Sequence, residues 1–452
     1  MIILHHDLQR EQMLTQFDRL IAKKNDPIFL FQYSQVLRYV VSFLVSVIMV
    51  KSALPPDDLG HYEIFFFMAT SLTFFWSSGI VNALFAWTPK MDAFEKDKFI
   101  SQAIWLVTTV NLILCVVVVI FSKHIFEFFS LTWSLNLLWL LIIYIFVSVP
   151  VILIDAILYL QVKTKSLLRY THWSQALLLM VVLLISLYKP NIHAFIFGVV
   201  VVYLARYLYL VFYLINWRSG FLQWAEVKPF LVFSGPLVVT VLLGYGMDMI
   251  DGWFVTHYFD ASYFPIFKYG AREMPLSVLL FSSLSVAMIP LISQSGTGTI
   301  LLKQKVTNLM HWLFPLSGVL MVISPIVFPL AYSPVYSDAA FIFNIYLLVL
   351  VSRVLLPQAI CLAHHRTQIV VWSGILEIIV NVVLSFWWMQ YWGIFGLAMA
   401  TVVAYFVQKV MLIIYIQTKL QIKLSEYLDL KVYLVYSSSL IALFMITFNY
   451  MR

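Results

Sequence analysis

The sequence has few charged residues for its length. Asp, Glu, Lys and Arg make up 11% of the 452 residues, whereas 62% are apolar and the mean hydropathy is +0.93. A soluble domain carries roughly 25% charged residues, so this chain has too little polar surface for a water-soluble globule. Because helices satisfy their own backbone hydrogen bonds in lipid, the deficit predicts an all-α polytopic membrane protein.

Sequence motifs for catalysis and metal binding are also missing. Cys115 and Cys361 both lie in apolar runs, which excludes a disulfide framework or a CxxC metal site. The sequence contains no G-x-x-x-x-G-K-[ST], no H-E-x-x-H and no nucleophile elbow. The longest loop opposite the N-terminal side, 256–271, offers Asp260 as its only acid, whereas a membrane glycosyltransferase needs several catalytic acids there. We expect no enzymatic activity, no cofactor and no metal.

Apolar runs of about 20 residues, the length that crosses a bilayer, recur thirteen times. The predicted helices are 28–51, 62–87, 99–122, 133–158, 170–188, 193–216, 230–256, 272–293, 309–331, 339–362, 367–389, 392–417 and 432–450. The last helix is the least hydrophobic, and one long segment can also be read as a re-entrant pair. The expected number of transmembrane helices is therefore 12–14.

The positions of Lys and Arg predict the orientation, because basic residues stay on the cytoplasmic side. With the N-terminus in the cytoplasm, 18 of the 28 basic residues face inward, 6 face outward and 4 lie inside spans. This alternation predicts a multi-pass protein of the bacterial inner membrane. It also accounts for the net charge of +7 without nucleic acid as a partner. The polar first 27 residues have no apolar core, so we expect no cleaved signal peptide.

The segment 217–229 lies between the sixth and seventh predicted helices. It divides the chain into a cytoplasmic N-terminal segment (1–27), two six-helix bundles (28–216 and 230–417) and a C-terminal segment with an extra helix (418–452). Both bundles begin on the same side of the membrane. Parallel repeats of this kind occur in several transporter classes.

Eight charged residues fall well inside the predicted spans, where ionisable groups usually pair or face a water-lined interior. They are Arg38, Asp155, Arg206, Asp248, Asp251, Arg353, Glu377 and Lys409. At about 1.5 Å of rise per residue, the three arginines and Glu377 lie near the midplane. Asp248 and Asp251 lie nearer the outer side. Three arginines against one glutamate predict a cationic midplane, and arginine binds phosphate oxygens in a fork geometry.

Helical spacing places several of these charges in polar stripes. One stripe consists of Gln35, Arg38, Ser42 and Ser46, another of Thr240, Gly244, Asp248 and Asp251, and a third of Glu377, Asn381 and Ser385. The structural alternative is that these charges form buried ion pairs that hold helices together and do not bind cargo, for example Arg38 with Asp251 or Arg353 with Glu377. Asp155 and Lys409 are interpreted as snorkelling residues near helix ends.

Three short stretches, in this order, carry a family resemblance. The first runs from Arg38 through Leu59-Gly60 to Ser78-Gly79, the second from Pro236-Leu237 to Asp248-Met-Ile-Asp251, and the third from Tyr269-Gly270 to Pro290. Together they resemble the polysaccharide-transporter branch of the multidrug/oligosaccharidyl-lipid/polysaccharide exporter superfamily, which includes O-antigen flippases. His61 and the thirteenth helix depart from the family pattern.

The resemblance implies two six-helix bundles around a central cavity that work by alternating access. The implied cargo is an undecaprenyl-diphosphate-linked oligosaccharide for cell-surface polysaccharide, moved outward and driven by an H⁺ or Na⁺ gradient. Membrane lipid and other polysaccharide-assembly proteins are the further partners. A cation-coupled multidrug exporter of the same superfamily is the runner-up, and it should have a more acidic or apolar chamber. A membrane scaffold or glycosyltransferase is the third hypothesis.

The leading hypothesis gives roles to seven residues. Arg38, Arg206 and Arg353, together with Gln35, are expected to bind the diphosphate or acidic sugars of the cargo. Asp248, Asp251 and Glu377 are expected to couple transport to the ion.

Overall fold

The structure, a computed structural model, describes residues 27–88, 91–188, 190–215, 224–294 and 298–451. These residues are 90% helical and contain no strand, so the predicted all-α class is confirmed. The predicted N-terminal segment, except for its last residue, and residues 217–223 of the predicted linker lie outside the described residues.

Eighteen α-helices follow one another along the described chain. The first seven are α1 (Pro27–Lys51), α2 (Pro56–Trp87), α3 (Ala93–Ile120), α4 (Ser122–Phe128), α5 (Leu135–Leu160), α6 (Thr164–Tyr188) and α7 (Ile192–Ile215). The next seven are α8 (Trp224–Tyr258), α9 (Tyr263–Gly270), α10 (Pro275–Gln294), α11 (Gly298–Ala331), α12 (Ser337–Leu347), α13 (Val349–Arg353) and α14 (Pro357–Ala363). The last four are α15 (Thr367–Trp392), α16 (Ile394–Tyr415), α17 (Leu424–Tyr427) and α18 (Leu430–Met451), with a π-helical turn (Ile416–Leu420) after α16.

Among the described residues, thirteen helical segments are long and apolar enough to cross a membrane, which agrees with the predicted 12–14. They overlap the thirteen predicted runs, although α2 begins at Pro56 rather than at residue 62, and α8 and α11 begin at Trp224 and Gly298 rather than at residues 230 and 309. A proline at the first helical position and acids in the first turn favour a helix start, and α2 has Pro56, Asp57 and Asp58 there. Large apolar side chains such as Val319 and Ile326 remain 56% and 69% exposed, as a lipid-facing surface requires.

The tenth span differs from the continuous helix predicted over 339–362. Its backbone is divided among α12, α13 and α14, and Leu356 adopts a left-handed conformation with φ 44°. A residue before proline is disfavoured in the right-handed helical region, and Pro357 follows Leu356 directly. The break places Arg353 at the end of α13 instead of in the middle of a long helix.

The chain folds into two compact units. Unit 1 contains the described residues up to Pro55 together with Phe65–Val241, and unit 2 contains Pro56–Ile64 and Leu242–Arg452. In unit 1, α1 packs on α6, and α5 packs on α3 and α7. In unit 2, α15 packs on α16, and α11 packs on α12 and α18. The division into bundles 28–216 and 230–417 stays a prediction.

Prolines inside two helices are compensated by asparagines from neighbouring helices. A proline has no N–H for the carbonyl four residues earlier, so Pro150 in α5 leaves the carbonyl of Phe146 without its helical donor. Asn111 of α3, which is fully buried, donates its Nδ2 to this oxygen at 3.1 Å and to that of Ile145 at 3.0 Å. Unit 2 repeats the arrangement, because Asn344 of α12 donates to the carbonyl of Met321 at 3.1 Å, four residues before Pro325.

We expect Asn111→Leu to lower the free energy of unfolding by about 1 kcal/mol, because it leaves the Phe146 carbonyl unpaired in an apolar interior. In a Pro150→Ala background the restored backbone N–H supplies that bond, so the same substitution should cost less. Thermal unfolding of the four detergent-purified proteins measures the difference. An equal loss in both backgrounds contradicts the proposed compensation.

Candidate functional site

Arg38 is paired with an acid inside unit 1. Its guanidinium, on α1, donates to the carboxylate of Asp155 on α5 at 2.6 Å. The two side chains are 26% and 13% exposed, so the pair is largely enclosed. The suggested pairing of Arg38 with Asp251 is therefore wrong, and so is the reading of Asp155 as a snorkelling residue. The estimate of depth along each helix contains no information on contacts between helices. It could therefore not show that Asp155 of α5 contacts Arg38 of α1.

Arg206 is the second guanidinium of unit 1 and is only 4% exposed. From α7 it donates to the backbone carbonyl of Ser174 on α6 at 3.1 Å. It also lies over the ring of Tyr203, 4.8 Å from the centroid. Among the described residues no carboxylate forms an ion pair with it. Asp155 is within electrostatic range, but that carboxylate already holds Arg38.

Tyr170 of α6 completes this group. Arg38 lies over its ring at 5.8 Å, and both Arg206 and Asp155 are within electrostatic range of its phenol. The phenol oxygen is buried without a hydrogen-bond partner, as are the Nε atoms of Arg38 and Arg206. We call Arg38, Asp155, Tyr170 and Arg206 the cationic cluster. Its two guanidiniums face one carboxylate, and buried donors left without acceptors are costly unless an acceptor joins them.

Gln35 lies one turn before Arg38 on α1 and is exposed. The predicted stripe on this helix is partly covered, because Ser42 is exposed whereas Ser46 is buried. Gln35, Arg38 and Arg206 all belong to unit 1. The fourth residue predicted to bind the cargo, Arg353, belongs to unit 2.

Asp251 lies at the centre of a polar group in unit 2. Its carboxylate, 1% exposed on α8, accepts hydrogen bonds from Thr401 at 2.5 Å, Asn381 at 3.2 Å and Tyr346 at 3.4 Å. Three helices, α16, α15 and α12, supply these donors. Asn381 also donates to Thr401 at 3.0 Å, and its own Oδ1 is buried without a partner. We call Asp251, Tyr346, Asn381 and Thr401 the Asp251 cluster.

Arg353 pairs with Glu273, not with Glu377 as suggested. The guanidinium at the end of α13 contacts the carboxylate of Glu273, which lies between α9 and α10. Glu273 was missed because the sequence places it just inside the start of a span. The irregular backbone around Leu356 and the non-helical stretch 271–274 bring these two side chains together.

Glu377 and Lys409 are buried in the same unit, 7% and 9% exposed, on α15 and α16. The ammonium of Lys409 donates to Gln358 at 2.8 Å and to Gln408 at 2.9 Å, so its reading as a snorkelling residue is wrong. Glu377 lies within electrostatic range of Lys409, Arg353 and Asp248. The side chain of Asp248, by contrast, is exposed.

The charges are therefore separated between the units. Unit 1 contributes Arg38 and Arg206 against Asp155, whereas in unit 2 four acids, namely Asp248, Asp251, Glu273 and Glu377, accompany Arg353 and Lys409. The cationic midplane stays a prediction. Of the three arginines assigned to it, Arg353 lies among acids, whereas Arg38 and Arg206 of unit 1 have one acid between them.

A further buried acid was not anticipated. Glu63, on α2 and 5% exposed, accepts a hydrogen bond from Tyr269 at 2.6 Å and pairs with Lys268, all within unit 2. Burial and the neighbouring carboxylate raise the pKa of Tyr269 well above its ordinary value, so the phenol stays protonated and donates. The ring of Tyr269 stacks on that of Tyr332 at 4.9 Å. Glu63 lies near a helix end in the sequence, where an acid usually faces water.

Solved structures with the same fold are transporters. A lipid II flippase, MurJ, in an inward closed conformation is similar over 93% of this chain and 93% of its own, with a TM-score of 0.71 and 18% identity. An inward-facing multidrug resistance transporter of the MATE family is similar over 89% of this chain and 94% of its own, with a TM-score of 0.61 and 11% identity. A superfamily transporter from Pyrococcus furiosus is similar over 89% and 95%, with a TM-score of 0.53 and 11% identity.

A comparison with curated protein sequences finds no match. The model of one protein family does match, and it covers residues 53–341. This range includes α2 to α11. It contains Asp155, Tyr170 and Arg206 of the cationic cluster, and Asp251 of the Asp251 cluster. The predicted family resemblance is confirmed by this match together with the shared fold. The chain belongs to the family of polysaccharide biosynthesis proteins and has the fold of the multidrug/oligosaccharidyl-lipid/polysaccharide exporter superfamily.

Proposed function

We propose that the protein flips an undecaprenyl-diphosphate-linked oligosaccharide from the cytoplasmic to the outer face of the bacterial inner membrane by alternating access. The cargo would serve cell-surface polysaccharide or O-antigen synthesis. The observation that carries the proposal is the cationic cluster of unit 1, with two guanidiniums against one carboxylate. Membership of a polysaccharide biosynthesis family supports the same cargo class.

The chemistry of the cationic cluster suits a diphosphate. A diphosphate offers several acceptor oxygens with more than one negative charge, and arginine binds such groups in a fork geometry. Arg206 has an Nε without a partner and no ion pair among the described residues. Bound phosphate oxygens would satisfy this donor, that of Arg38 and the phenol of Tyr170. The proposal assigns no catalytic step to the chain.

The direction of transport follows from the orientation. Basic residues concentrate in the segments on the N-terminal side of the membrane, which favours a cytoplasmic N-terminus. Lipid-linked oligosaccharides are assembled where nucleotide-activated sugars are available, on the cytoplasmic face. Outward movement is therefore the productive direction.

The Asp251 cluster is the candidate ion-coupling site. Small cations such as Na⁺ take oxygen ligands, and transporters hold them at buried acids and nearby backbone carbonyls. Asp251 and Thr401 provide oxygens here, and the unpartnered Oδ1 of Asn381 provides a third. The carbonyl of Leu397 lies 3.2 Å from the Thr401 hydroxyl and adds a fourth. A proton on Asp251 is the alternative occupant, since the carboxylate is almost fully enclosed.

A multidrug exporter is the second candidate function. In unit 2 four acids, Asp248, Asp251, Glu273 and Glu377, accompany Arg353 and Lys409, and an acidic environment of this kind suits cationic drugs. This candidate predicts altered drug susceptibility when the chain is expressed, without an effect on glycan export. The flippase proposal predicts the reverse.

We expect Arg206→Gln, and the double substitution Arg38→Ala with Asp155→Ala, each to lower glycan export by at least about tenfold, because each removes a guanidinium that would bind the diphosphate. The double substitution removes both partners of the ion pair, so it leaves no unpaired buried carboxylate. Export is measured by complementation of a flippase-deficient strain at matched membrane levels of protein.

Arg366→Gln is the matched control, because this arginine is exposed at the start of α15 and belongs to neither cluster. Its export should equal that of the wild type. Normal export by both cluster variants would contradict the cargo assignment.

We expect Asp251→Asn and Thr401→Val each to weaken Na⁺ binding by at least about tenfold, because each removes an oxygen ligand or its charge. Binding of radioactive sodium to the purified protein measures the loss. Glu95→Gln, an exposed acid of α3, is the control and should bind as the wild type does. A second outcome is that the wild type binds no sodium and its transport depends on a pH gradient. If Asp251→Asn abolishes this dependence, the occupant is a proton. Equal ion dependence of the wild type and Asp251→Asn would contradict the site.

A further inference from the structure

Two adjoining cavities lie at one end of unit 2, and none of their lining residues belongs to either charged cluster. The larger, about 420 Å³, is mostly apolar, with Phe341, Met399, Phe444 and Phe448 in its lining. The smaller, about 320 Å³, is polar and has Asp260 in its lining. Asp338, Trp392 and Phe395 line both. We call them the apolar chamber and the polar chamber. Together they fall in the range of about 300–1,000 Å³ that is usual for ligand sites.

Packed rings form the wall of the apolar chamber. Phe341 of α12 meets Phe395 of α16 edge to face at 4.7 Å and lies 5.1 Å from Phe448 of α18. Phe444 lies 5.9 Å from Phe341. The pair of Phe341 with Phe395 is edge to face and that of Phe341 with Phe444 is stacked, both preferred aromatic geometries. These contacts order the wall of the chamber.

A tight turn joins the two chambers. Gly393 alone connects α15 to α16 and has φ 57°, a conformation that glycine adopts without steric cost. The turn places Trp392 and Phe395, on either side of Gly393, in the lining of both chambers. A ligand can therefore occupy both chambers at once.

The polar chamber has the chemistry of an ammonium site. Its lining includes the carboxylates of Asp260 and Asp338 and the rings of Tyr258, Tyr263 and Trp392, and no Lys, Arg or His is among its lining residues. Carboxylates accept hydrogen bonds from an ammonium, and aromatic faces attract it through cation–π interactions. The same two carboxylates repel a diphosphate, which carries no ammonium to offset its negative charge. The diphosphate of the proposed cargo therefore does not fit this chamber.

The position of the chambers points to a membrane lipid. Their lining comes from the ends of α8, α15 and α18, from the starts of α12 and α16, and from residues 259–263, which directly follow α8. The helix ends belong to odd-numbered spans and the helix starts to even-numbered spans, so they share one membrane face. With the N-terminus in the cytoplasm this is the outer face. Trp392 is 47% exposed, as expected of a tryptophan at the level of lipid head groups.

We propose that the two chambers bind an aminophospholipid of the phosphatidylethanolamine class. The ammonium of the head group contacts Asp260 and Asp338 in the polar chamber, and part of an acyl chain fills the apolar chamber. The bound lipid contacts α12, α15, α16 and α18 together, so it stabilises the folded unit 2 by mass action.

Native mass spectrometry of the detergent-purified protein tests this with two lipids that have the same acyl chains, phosphatidylethanolamine and phosphatidylglycerol. The wild type should bind phosphatidylethanolamine about tenfold more tightly, since only this lipid carries an ammonium. Asp260→Asn with Asp338→Asn should remove the preference. Met399→Trp fills the apolar chamber and should weaken the binding of both lipids.

Asp57→Asn with Glu127→Gln is the matched control. Both acids are exposed, lie on the same membrane face by span order and line neither chamber, so the preference should persist. Thermal unfolding checks that each variant is folded, and a bound lipid should raise the melting temperature of the wild type. Equal binding of the two lipids by the wild type, or an unchanged preference after Asp260→Asn with Asp338→Asn, overturns the ammonium site. Unchanged binding after Met399→Trp overturns the acyl-chain site.

Discussion

The structure depends on how charge is accommodated in a low-dielectric interior. A buried ion is costly unless a counter-ion and hydrogen bonds replace its hydration. Unit 2 meets most of this requirement, because Asp251 accepts three hydrogen bonds, Arg353 holds Glu273, and Lys409 donates to two glutamines. The Nε of Arg353 and the Oδ1 of Asn381 are nevertheless buried without a hydrogen-bond partner. Unit 1 meets it only in part, since Arg38 and Arg206 have one carboxylate between them. This incomplete compensation is the physical basis for a bound anion.

The same requirement governs the backbone. The Asn111 and Asn344 amides replace the donors lost at Pro150 and Pro325, so the helices can contain proline without exposing carbonyls to lipid. Within unit 2 the broken tenth span is largely buried, which keeps its irregular backbone in contact with protein. Irregular backbone also creates sites, because the break after Arg353 turns its side chain toward Glu273, and the turn at Gly393 links the two chambers.

Much of the fold was predictable from sequence, because a long apolar run marks the position of each span. The thirteen runs match thirteen helical spans, and the family was recognised from short motifs around Gly60, Asp251 and Gly270. Contacts between helices were harder to predict. Depth along a helix placed Arg38 and Arg206 inside the membrane, but it could not show that Asp155 would meet Arg38 while Arg206 would have no acid. The partner of Arg353 depended on a helix break at Leu356–Pro357. No periodic pattern of polar residues in the sequence marks Thr401 as a partner of Asp251.

The central claim is that the cationic cluster of unit 1 selects an anionic lipid-linked cargo. It is tested most directly by transport in proteoliposomes that contain the purified protein and a fluorescent undecaprenyl-diphosphate-linked oligosaccharide. The account predicts translocation of this lipid under an ion gradient, competition by other lipid diphosphates, and no translocation of a neutral lipid-linked sugar. Equal translocation of the neutral and the diphosphate-linked lipid, or transport of cationic drugs alone, would contradict it.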